Sequence, residues 1–415
     1  MMIERVAIAV ALVAAAGVAA AAPFAPFDLR ATGMGGTGVA SSKAAAAALF
    51  NPAMLSAQKT DHSQFILGVG VHVAGEEELL NKTEAMMERF AALDGTLKLS
   101  DLPQIRASAE RARVQLQDAD GEYIFMGGSV TTAFGMSGAK LGIGVFVTAN
   151  AYADVVPNIS TADVGTLRLV INDIADNQVA DDPVTQAVIA AGELHVASTG
   201  EATGALVSEA GVSFSHRFEF VSGGNLAVGI TPKAVNVATY HYEESLDNFD
   251  DAKIDSTTVE KVGQHADVDL GVAYRASADS KWQYGLVARN LADKTYTTVP
   301  GRPTGLPLTA ARDVTINTQV RIGAARMTDR TTLAFDLDLT ESENITPGSN
   351  TQFLAVGGEY ALTYFQVRGG YRANLVSDSN TDDLLSLGLG LGPVDVSVIG
   401  NKQQLGAFLG LGMSW

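Results

Sequence analysis

Six histidines, a glycine triplet with dinucleotide spacing and a run of acidic loop residues are the raw material from which catalysis or cofactor binding would have to be built. His62, His72, His195, His216, His241 and His265 are scattered, and no serine, histidine and acid recur together at matched heights, so a hydrolytic triad has no foundation. The complete absence of Cys removes thiolate metal sites, CxxC redox pairs and disulfide scaffolds. Gly33, Gly35 and Gly38 satisfy GxGxxG, but a dinucleotide turn needs a hydrophobic strand before it, a helix after it and an acidic residue about twenty positions on. Two prolines, Pro23 and Pro26, precede it instead. A glycine-rich backbone that turns tightly and packs against a wall at close range explains the triplet better. The run from Asp247 to Asp255 could hold Ca²⁺ loosely, although solvated loop charge is the commoner outcome. No enzyme, cofactor or metal site is expected.

The remaining chemistry is ionic, and it recurs at every second residue. Over 264–275, Ala266, Val268, Leu270, Val272 and Tyr274 share one face, while His265, Asp267, Asp269, Gly271 and Arg275 share the other. Over 330–340, Leu333, Phe335, Leu337 and Leu339 oppose Thr332, Asp336, Asp338 and Thr340. Over 364–373, Phe365, Val367, Gly369 and Tyr371 oppose Gln366, Arg368, Gly370 and Arg372. The same period places Arg217, Glu219, Lys233, Arg289, Arg321 and Glu359 on polar faces, and His216 on an apolar one. Charges of both signs in an apolar core would be prohibitive unless paired, whereas a polar lumen holds them with water and with one another. A salt-bridge network that stiffens the wall is therefore the expected role. Mixed signs argue against a strongly ion-selective pore. On this reading Leu337→Arg puts a charge into lipid at a cost of roughly 2–4 kcal/mol near the midplane, and Asp338→Asn costs far less.

The elements that position these faces are strands. The last stretch sets Leu405, Ala407, Leu409, Leu411, Met413 and Trp415 against Gly406, Phe408, Gly410, Gly412 and Ser414. Such a strand is an aggregation hazard at a free edge, but not where it closes a cylinder in lipid. About fourteen segments of this kind follow residue 62, at 63–73, 121–134, 139–153, 209–221, 224–242, 264–275, 281–291, 314–325, 330–340, 351–361, 364–373, 384–391, 394–401 and 405–415. The connections after even-numbered segments are short and those after odd-numbered ones long, the parity of tight periplasmic turns and long outer loops. The fold class is thus all-β, a transmembrane antiparallel β-barrel of about fourteen strands with some helical outer loops. Residues 74–118 carry Leu79, Leu80, Met86, Met87 and Phe90 at helical spacing, and 154–208 predicts a helix from Pro183 to about His195.

The chain opens with an apolar Ala- and Val-rich run over Val6–Ala22, too short for a spanning helix, that ends at small residues before Pro23. Residues 1–21 are expected to be a secretory signal peptide, 22–58 a separate N-terminal segment, and 59–415 the barrel itself. The net charge of −18 and the lack of any Lys/Arg cluster exclude a nucleic-acid partner.

Met34-Gly-Gly-Thr-Gly-Val-Ala40, an Ala-rich stretch and Asn51-Pro52-Ala53 resemble the N-terminal hatch of the long-chain fatty-acid transporter superfamily (FadL type), in the variant of the conjugal-transfer TraF-like outer-membrane proteins. Gly229–Lys233, Asp267–Tyr274, Phe335–Glu341 and Val367–Arg372 continue the likeness in the same order. The resemblance implies a barrel in the outer membrane of a Gram-negative bacterium, in contact with its lipid. Gly33, Gly35, Gly36 and Gly38 would be the glycine turn of a hatch or plug, Asn51, Pro52 and Ala53 its second motif, and a kink in one strand a lateral exit. It further implies passive uptake of small hydrophobic molecules or, alternatively, an accessory barrel that transports nothing and works with envelope or conjugation components.

Overall fold

The computed structural model describes residues 28–57, 62–75, 102–138, 140–191, 197–221, 223–246, 260–342, 350–376 and 383–415. Fourteen strands form one closed antiparallel barrel. They are β1 (His62–Gly75), β2 (Ile124–Ser137), β3 (Leu141–Asn158), β4 (Thr199–Glu219), β5 (Asn225–Ser245), β6 (Glu260–Arg275), β7 (Trp282–Arg289), β10 (Gln319–Met327), β11 (Thr331–Asp338), β12 (Phe353–Ala361), β13 (Phe365–Asn374), β14 (Leu384–Leu391), β15 (Val394–Gly400) and β16 (Gln404–Ser414). Two short strands, β8 (Lys294–Thr297) and β9 (Asp313–Ile316), make a separate hairpin. Closure is made by β16, which pairs with β15 on one side and along β1 on the other, from Gln64 opposite Ser414 to Ala74 opposite Gln404. The ladder thereby runs round the wall without an open edge, which is the condition for spanning lipid with strands.

The two faces differ as period two requires. Leu405, Leu409, Leu411 and Met413 of β16 are exposed on the outside, while Gly406, Phe408 and Gly410 are buried within. The exposed apolar residues continue round the wall through Val69, Val145, Phe214, Leu270, Leu333, Phe335 and Leu387. Apolar surface on this scale, with the charges inside, is the inverse of a water-soluble barrel and the arrangement of an outer-membrane one. Aromatic side chains collect at the end with the short turns, where Trp282 stacks on Tyr284 at 6.5 Å, Tyr274 lies beside Tyr284, and Phe220, Tyr364 and Trp415 are exposed. This is the position of an interfacial girdle at the periplasmic end.

The wall is uneven. β7 and β10–β15 have seven to ten residues each, about what a tilted strand needs to cross a bilayer, whereas β4 and β5 have 21 each. The taller side rises beyond the bilayer and carries helices: α4 (Leu102–Ala119), α5 (Thr161–Ala175) and α6 (Pro183–Ala191). α4 and α5 bury Ala109, Ala112, Leu116, Leu167 and Ile171 against each other.

The structure corrects several boundaries. The segment expected at 314–325 is two elements: Asp313–Ile316 belongs to the hairpin, and the barrel strand starts at Gln319. β4 begins at Thr199 rather than 209, because above the bilayer the outward side no longer needs large apolar residues and the alternation fades into Gly200, Ala202 and Gly204 while the ladder continues. α4 and α5 are additions to the expected elements, and the helix from Pro183 ends at Ala191 among the described residues. Residues 1–27, the positions Leu79 to Phe90 and the acidic run 247–255 lie outside the described residues.

Leu337 stands one residue from the end of β11, so the middle of that strand's lipid face is nearer Phe335. The mild cost expected of Asp338→Asn is also wrong. Asp338 holds Arg321 with both carboxylate oxygens and accepts the Phe353 amide at 2.9 Å, so its loss strands a buried cation.

Candidate functional site: the filled lumen

The lower half of the lumen is occupied by the chain's own N-terminal segment. Residues 28–57 form three short helices, α1 (Leu29–Thr32), α2 (Ala44–Phe50) and α3 (Met54–Ala57), with tight turns between them. Asp28 starts α1 by accepting the Ala31 amide at 2.9 Å. Nearly every residue is buried, and α2, an alanine run ending in Leu49-Phe50, is buried on all sides. A helix this small in cross-section fits where larger side chains would not.

This segment touches all fourteen barrel strands. Ala45 donates to Gln64 of β1 at 3.1 Å, Ala44 lies against Gly135 of β2, and Leu55 against Gly142 of β3. Ser215 of β4 donates to the Ala53 carbonyl, and Pro52 and Ala53 press on Gly229 of β5 and Gly271 of β6. Val39 reaches Gly285 of β7 and Gly323 of β10, and the Gly38 and Val39 amides donate to Asp336 of β11 at 2.7 and 3.1 Å. Arg30 grips Glu359 of β12 through two bonds of 2.9 and 3.0 Å, Met34 and Gly35 lie on Gly370 of β13, and the Gly35 amide donates to Ser386 of β14. Ser397 of β15 donates to the Leu29 carbonyl, and Leu29 packs on Gly410 of β16.

The wall meets the segment with glycine. Gly229 faces Gly271 across the ladder, Gly285 faces Gly323, Gly357 faces Gly370, and Gly135 faces Gly144. At Gly229 and Gly271 any β-carbon would collide with Asn51, Pro52 or Ala53, so glycine is required by close backbone approach. Sequence reasoning missed this belt. Its signal is the recurrence of glycine on the inward parity of many strands.

The glycine and Asn-Pro-Ala positions singled out in the sequence each have a local job. Gly35 and Gly36 have φ of 72° and 86°, the left-handed region that makes the turn under β12 and β13. Gly33 sits against Gly388 and Ser397, and Gly38 leaves room for the Phe50 ring. Asn51 ties the fold of the segment together, its Nδ2 donating to the Val39 and Val272 carbonyls at 2.9 and 3.1 Å and its Oδ1 accepting the Ala53 amide.

Above the segment lies a layer of charge. Lys233 bonds Glu209 at 2.7 Å and Asp269 at 2.9 Å, and Arg289 joins the same two carboxylates at 3.0 and 3.3 Å. Asp267 accepts the Val268 and Ala292 amides. Beside the segment, Arg368 bridges Asp395 and Glu359, the carboxylate that Arg30 also holds. Arg217 donates to the Ser56 carbonyl and pairs with Glu219 near the periplasmic end, and Arg275 donates to Gln283 at 3.2 Å. Arg372 stacks over the Phe353 ring at 4.2 Å. The polar side chains expected to face inward lie on the inward parity of their strands, with Glu219 half-exposed at the end of β4, and they form several separate groups rather than one track.

The upper lumen holds a second insertion. The connection from β7 to β10 folds inward, and Val314 and Ile316 of β9 pack on Ala205, Val207, Val235 and Val237 of the tall wall, with Tyr152 and Tyr296 alongside. Its fastenings are side chains. Arg312 chelates Glu201 through bonds of 2.6 and 2.5 Å, His241 bridges Glu201 and the Val299 carbonyl, Thr309 donates to Glu243, and Thr304 donates to Glu244. Burial by itself would raise the Glu201 carboxyl, but donors from His241, Arg312 and Asn158 hold it well below the ordinary carboxylate range. Burial opposes a charge on His241, yet the Glu201 and Val299 acceptors win and raise its pKa.

Among the described residues no group of three or more His, Asp or Glu is placed to hold a metal ion. His216 points outward and His241 serves the latch.

The family model for the F plasmid transfer operon protein TraF matches residues 48–338. No curated protein matches the chain. Among solved structures it is similar to the Ralstonia pickettii toluene transporter TbuX, at 12% identity over 94% of this chain and 98% of that one, with a TM-score of 0.49. It is likewise similar to the Pseudomonas putida toluene transporter TodX, at 10% identity over 94% and 97% of the two chains, TM-score 0.47. The monoaromatic hydrocarbon channel CymD is 13% identical over 93% and 96%, TM-score 0.49.

Proposed function

We propose, from the premise that this chain belongs to the family of the F plasmid transfer operon protein TraF, that it is a plugged outer-membrane channel for passive entry of small hydrophobic molecules. Residues 1–21 serve as the secretory signal, 22–58 as the plug and 59–415 as the barrel. The observation that carries the reading is the seat of residues 28–57, a compact body built of small residues that meets every strand of the wall. The hatch-like motifs at Gly33–Gly38 and Asn51–Ala53 support it.

A lateral exit, as the resemblance implies, has a candidate place. Between β4 and β5 the register runs to Gly211 opposite Lys233 and resumes at Phe214 opposite Ile230, with Pro232 at the gap. A proline cannot donate to the ladder. On the lumen side the gap is spanned by the hydroxyls of Ser213 and Thr231 at 2.7 Å. Pro232→Val restores a donor and is expected to slow entry without unfolding the barrel.

The test is planar-bilayer conductance of the refolded chain against one lacking residues 22–58. A large steady conductance only after deletion supports a plug in a transport path. Silence from both means the lumen is closed by its own side chains and inserted loops. The second reading, an accessory barrel of a plasmid-transfer or envelope apparatus that transports nothing, would then lead. The family description favours that reading, and plasmid-transfer frequency in cells lacking the protein addresses it directly.

A further inference from the structure

Most lumen arginines have a carboxylate: Arg30 and Arg368 share Glu359, Arg289 takes Glu209 and Asp269, Arg321 takes Asp338, and Arg312 takes Glu201. Arg372 does not. One face of its guanidinium is covered by Phe353, and among the described residues no carboxylate or carbonyl accepts from its edges. Beside its Nη1 the Gly36 turn offers no side chain. Across the lumen from Arg372 stand β1, β2 and β3.

That opposite wall is a row of rings. His72 of β1 meets Phe125 of β2 edge-on at 5.8 Å, and Phe125 stacks on Tyr152 of β3 at 5.7 Å. All three face inward by register, yet they and Arg372 are only partly buried, so the surface they expose belongs to the lumen. A partly buried cation without a carboxylate, facing a row of rings, is what a ligand with an aromatic body and an anionic head would satisfy.

We infer that the chamber between the His72–Phe125–Tyr152 row and Arg372 binds a small aromatic carboxylate. The ring rests on the aromatic row, and the carboxylate takes the two free edge donors of Arg372, a planar fork that a carboxylate matches. A monoanion fits because one cation is unneutralised; the neighbouring Arg321 is already engaged by Asp338, so a phosphate dianion would lack its second partner. The inference rests on reading the lumen as a ligand path, and it narrows the hydrophobic ligand to one with an anionic head.

The test is isothermal titration of the refolded full-length protein in detergent with benzoate, benzamide and cyclohexanecarboxylate. Benzoate is expected to bind at least about tenfold more tightly than benzamide, which lacks the charge, and more tightly than the non-aromatic acid. Arg372→Gln should weaken benzoate by about tenfold or more and leave benzamide unchanged, and Phe125→Leu should erase the preference over cyclohexanecarboxylate. Equal benzoate affinity in wild type and Arg372→Gln overturns the site, as does no benzoate binding to wild type at millimolar concentration. If Arg372→Gln fails to fold, Phe125→Leu on the far wall carries the test alone, and an unchanged preference overturns the proposal. Benzoate uptake into liposomes is measured beside it: binding without uptake sinks the transport reading and spares this one, while uptake of neutral hydrophobic solutes without benzoate binding does the reverse.

Discussion

The two bodies inside this barrel are held in opposite ways. The N-terminal segment below is seated by backbone against glycine, with Pro52 and Ala53 on Gly229 and Gly271 and Met34 and Gly35 on Gly370, and with few but deeply buried polar ties. The β7–β10 insertion above is fastened by side chains on the rim of the tall wall: Arg312 on Glu201, Thr309 on Glu243 and Thr304 on Glu244. Close backbone packing is lost all at once when the shapes cease to match, whereas side-chain fastenings come undone one at a time. The contrast predicts that the lower body behaves as part of the barrel's structure, and that the upper one lifts as a strap while the barrel stays folded.

The largest expected effect lies below. Glu359 serves both Arg30 and Arg368, so Glu359→Gln leaves two buried guanidinium groups short of charge and should cost about 3–5 kcal/mol. Urea unfolding in detergent micelles reads the stability, and proteolysis within residues 28–57 reads the seat. A variant as stable and as protease-resistant as the wild type would break the contrast. Gly271→Ala comes next. The added methyl meets Asn51 and Pro52, and overpacking of this kind costs roughly 1–3 kcal/mol. Intermittent conductance is its expected signature. Glu201→Gln, above, is smaller still: Arg312 is part-exposed, so the barrel's stability should fall by no more than about 1 kcal/mol while hydrogen exchange in residues 294–316 rises. If this substitution unfolded the whole barrel, the strap would not be separable.

Much of the wall is legible in the sequence, because lipid outside and polar groups inside impose period two on every strand that crosses the bilayer. Asp267 and Asp269 against Val268 and Leu270 declare their faces by residue type alone. Legibility ends where that constraint ends. Thr199–Ser208 extends above the bilayer, and its outward Gly200, Ala202 and Gly204 give no apolar beat, so the alternation marks the strand only from 209. Asp313–Ile316 alternates like a wall strand and joins Gln319 with neither Gly nor Pro between them, so a hairpin in the lumen reads as barrel. Within the site, the inward charges are legible one by one but their partners are not. Nothing local to Arg372 distinguishes it from Arg368. One has two carboxylates because Glu359 stands directly opposite it on β12 and Gly388, its partner on β14, leaves it free to reach Asp395 of β15; the other has none because Ala355 and Leu384 stand opposite it.

The smallest effect tests the strap through pH. His241 places both ring nitrogens against acceptors, Nε2 on Glu201 at 3.0 Å and Nδ1 on the Val299 carbonyl at 2.7 Å, an arrangement complete only for the imidazolium. Its raised pKa means the fastening is fully present below the ordinary histidine value of 6.5 and is lost as pH rises through the folded value. Glu201 has the opposite sign: its depressed pKa gives a contribution present above the ordinary 4.5 and lost as pH falls through the folded value. Both are complete only between 4.5 and 6.5, with Glu243, Glu244 and Arg312 as the other charges facing the latch. Hydrogen exchange in residues 294–316, corrected for its intrinsic pH dependence, should be faster at pH 8.5 than at pH 6 by roughly fivefold at most, since the part-exposed Arg312 and the threonines go on holding the insertion when the histidine is neutral. His241→Gln should flatten the difference and leave the N-terminal segment equally protected at both pH values. A pH-independent strap in the wild type would show that Arg312 and the threonines hold it without the histidine.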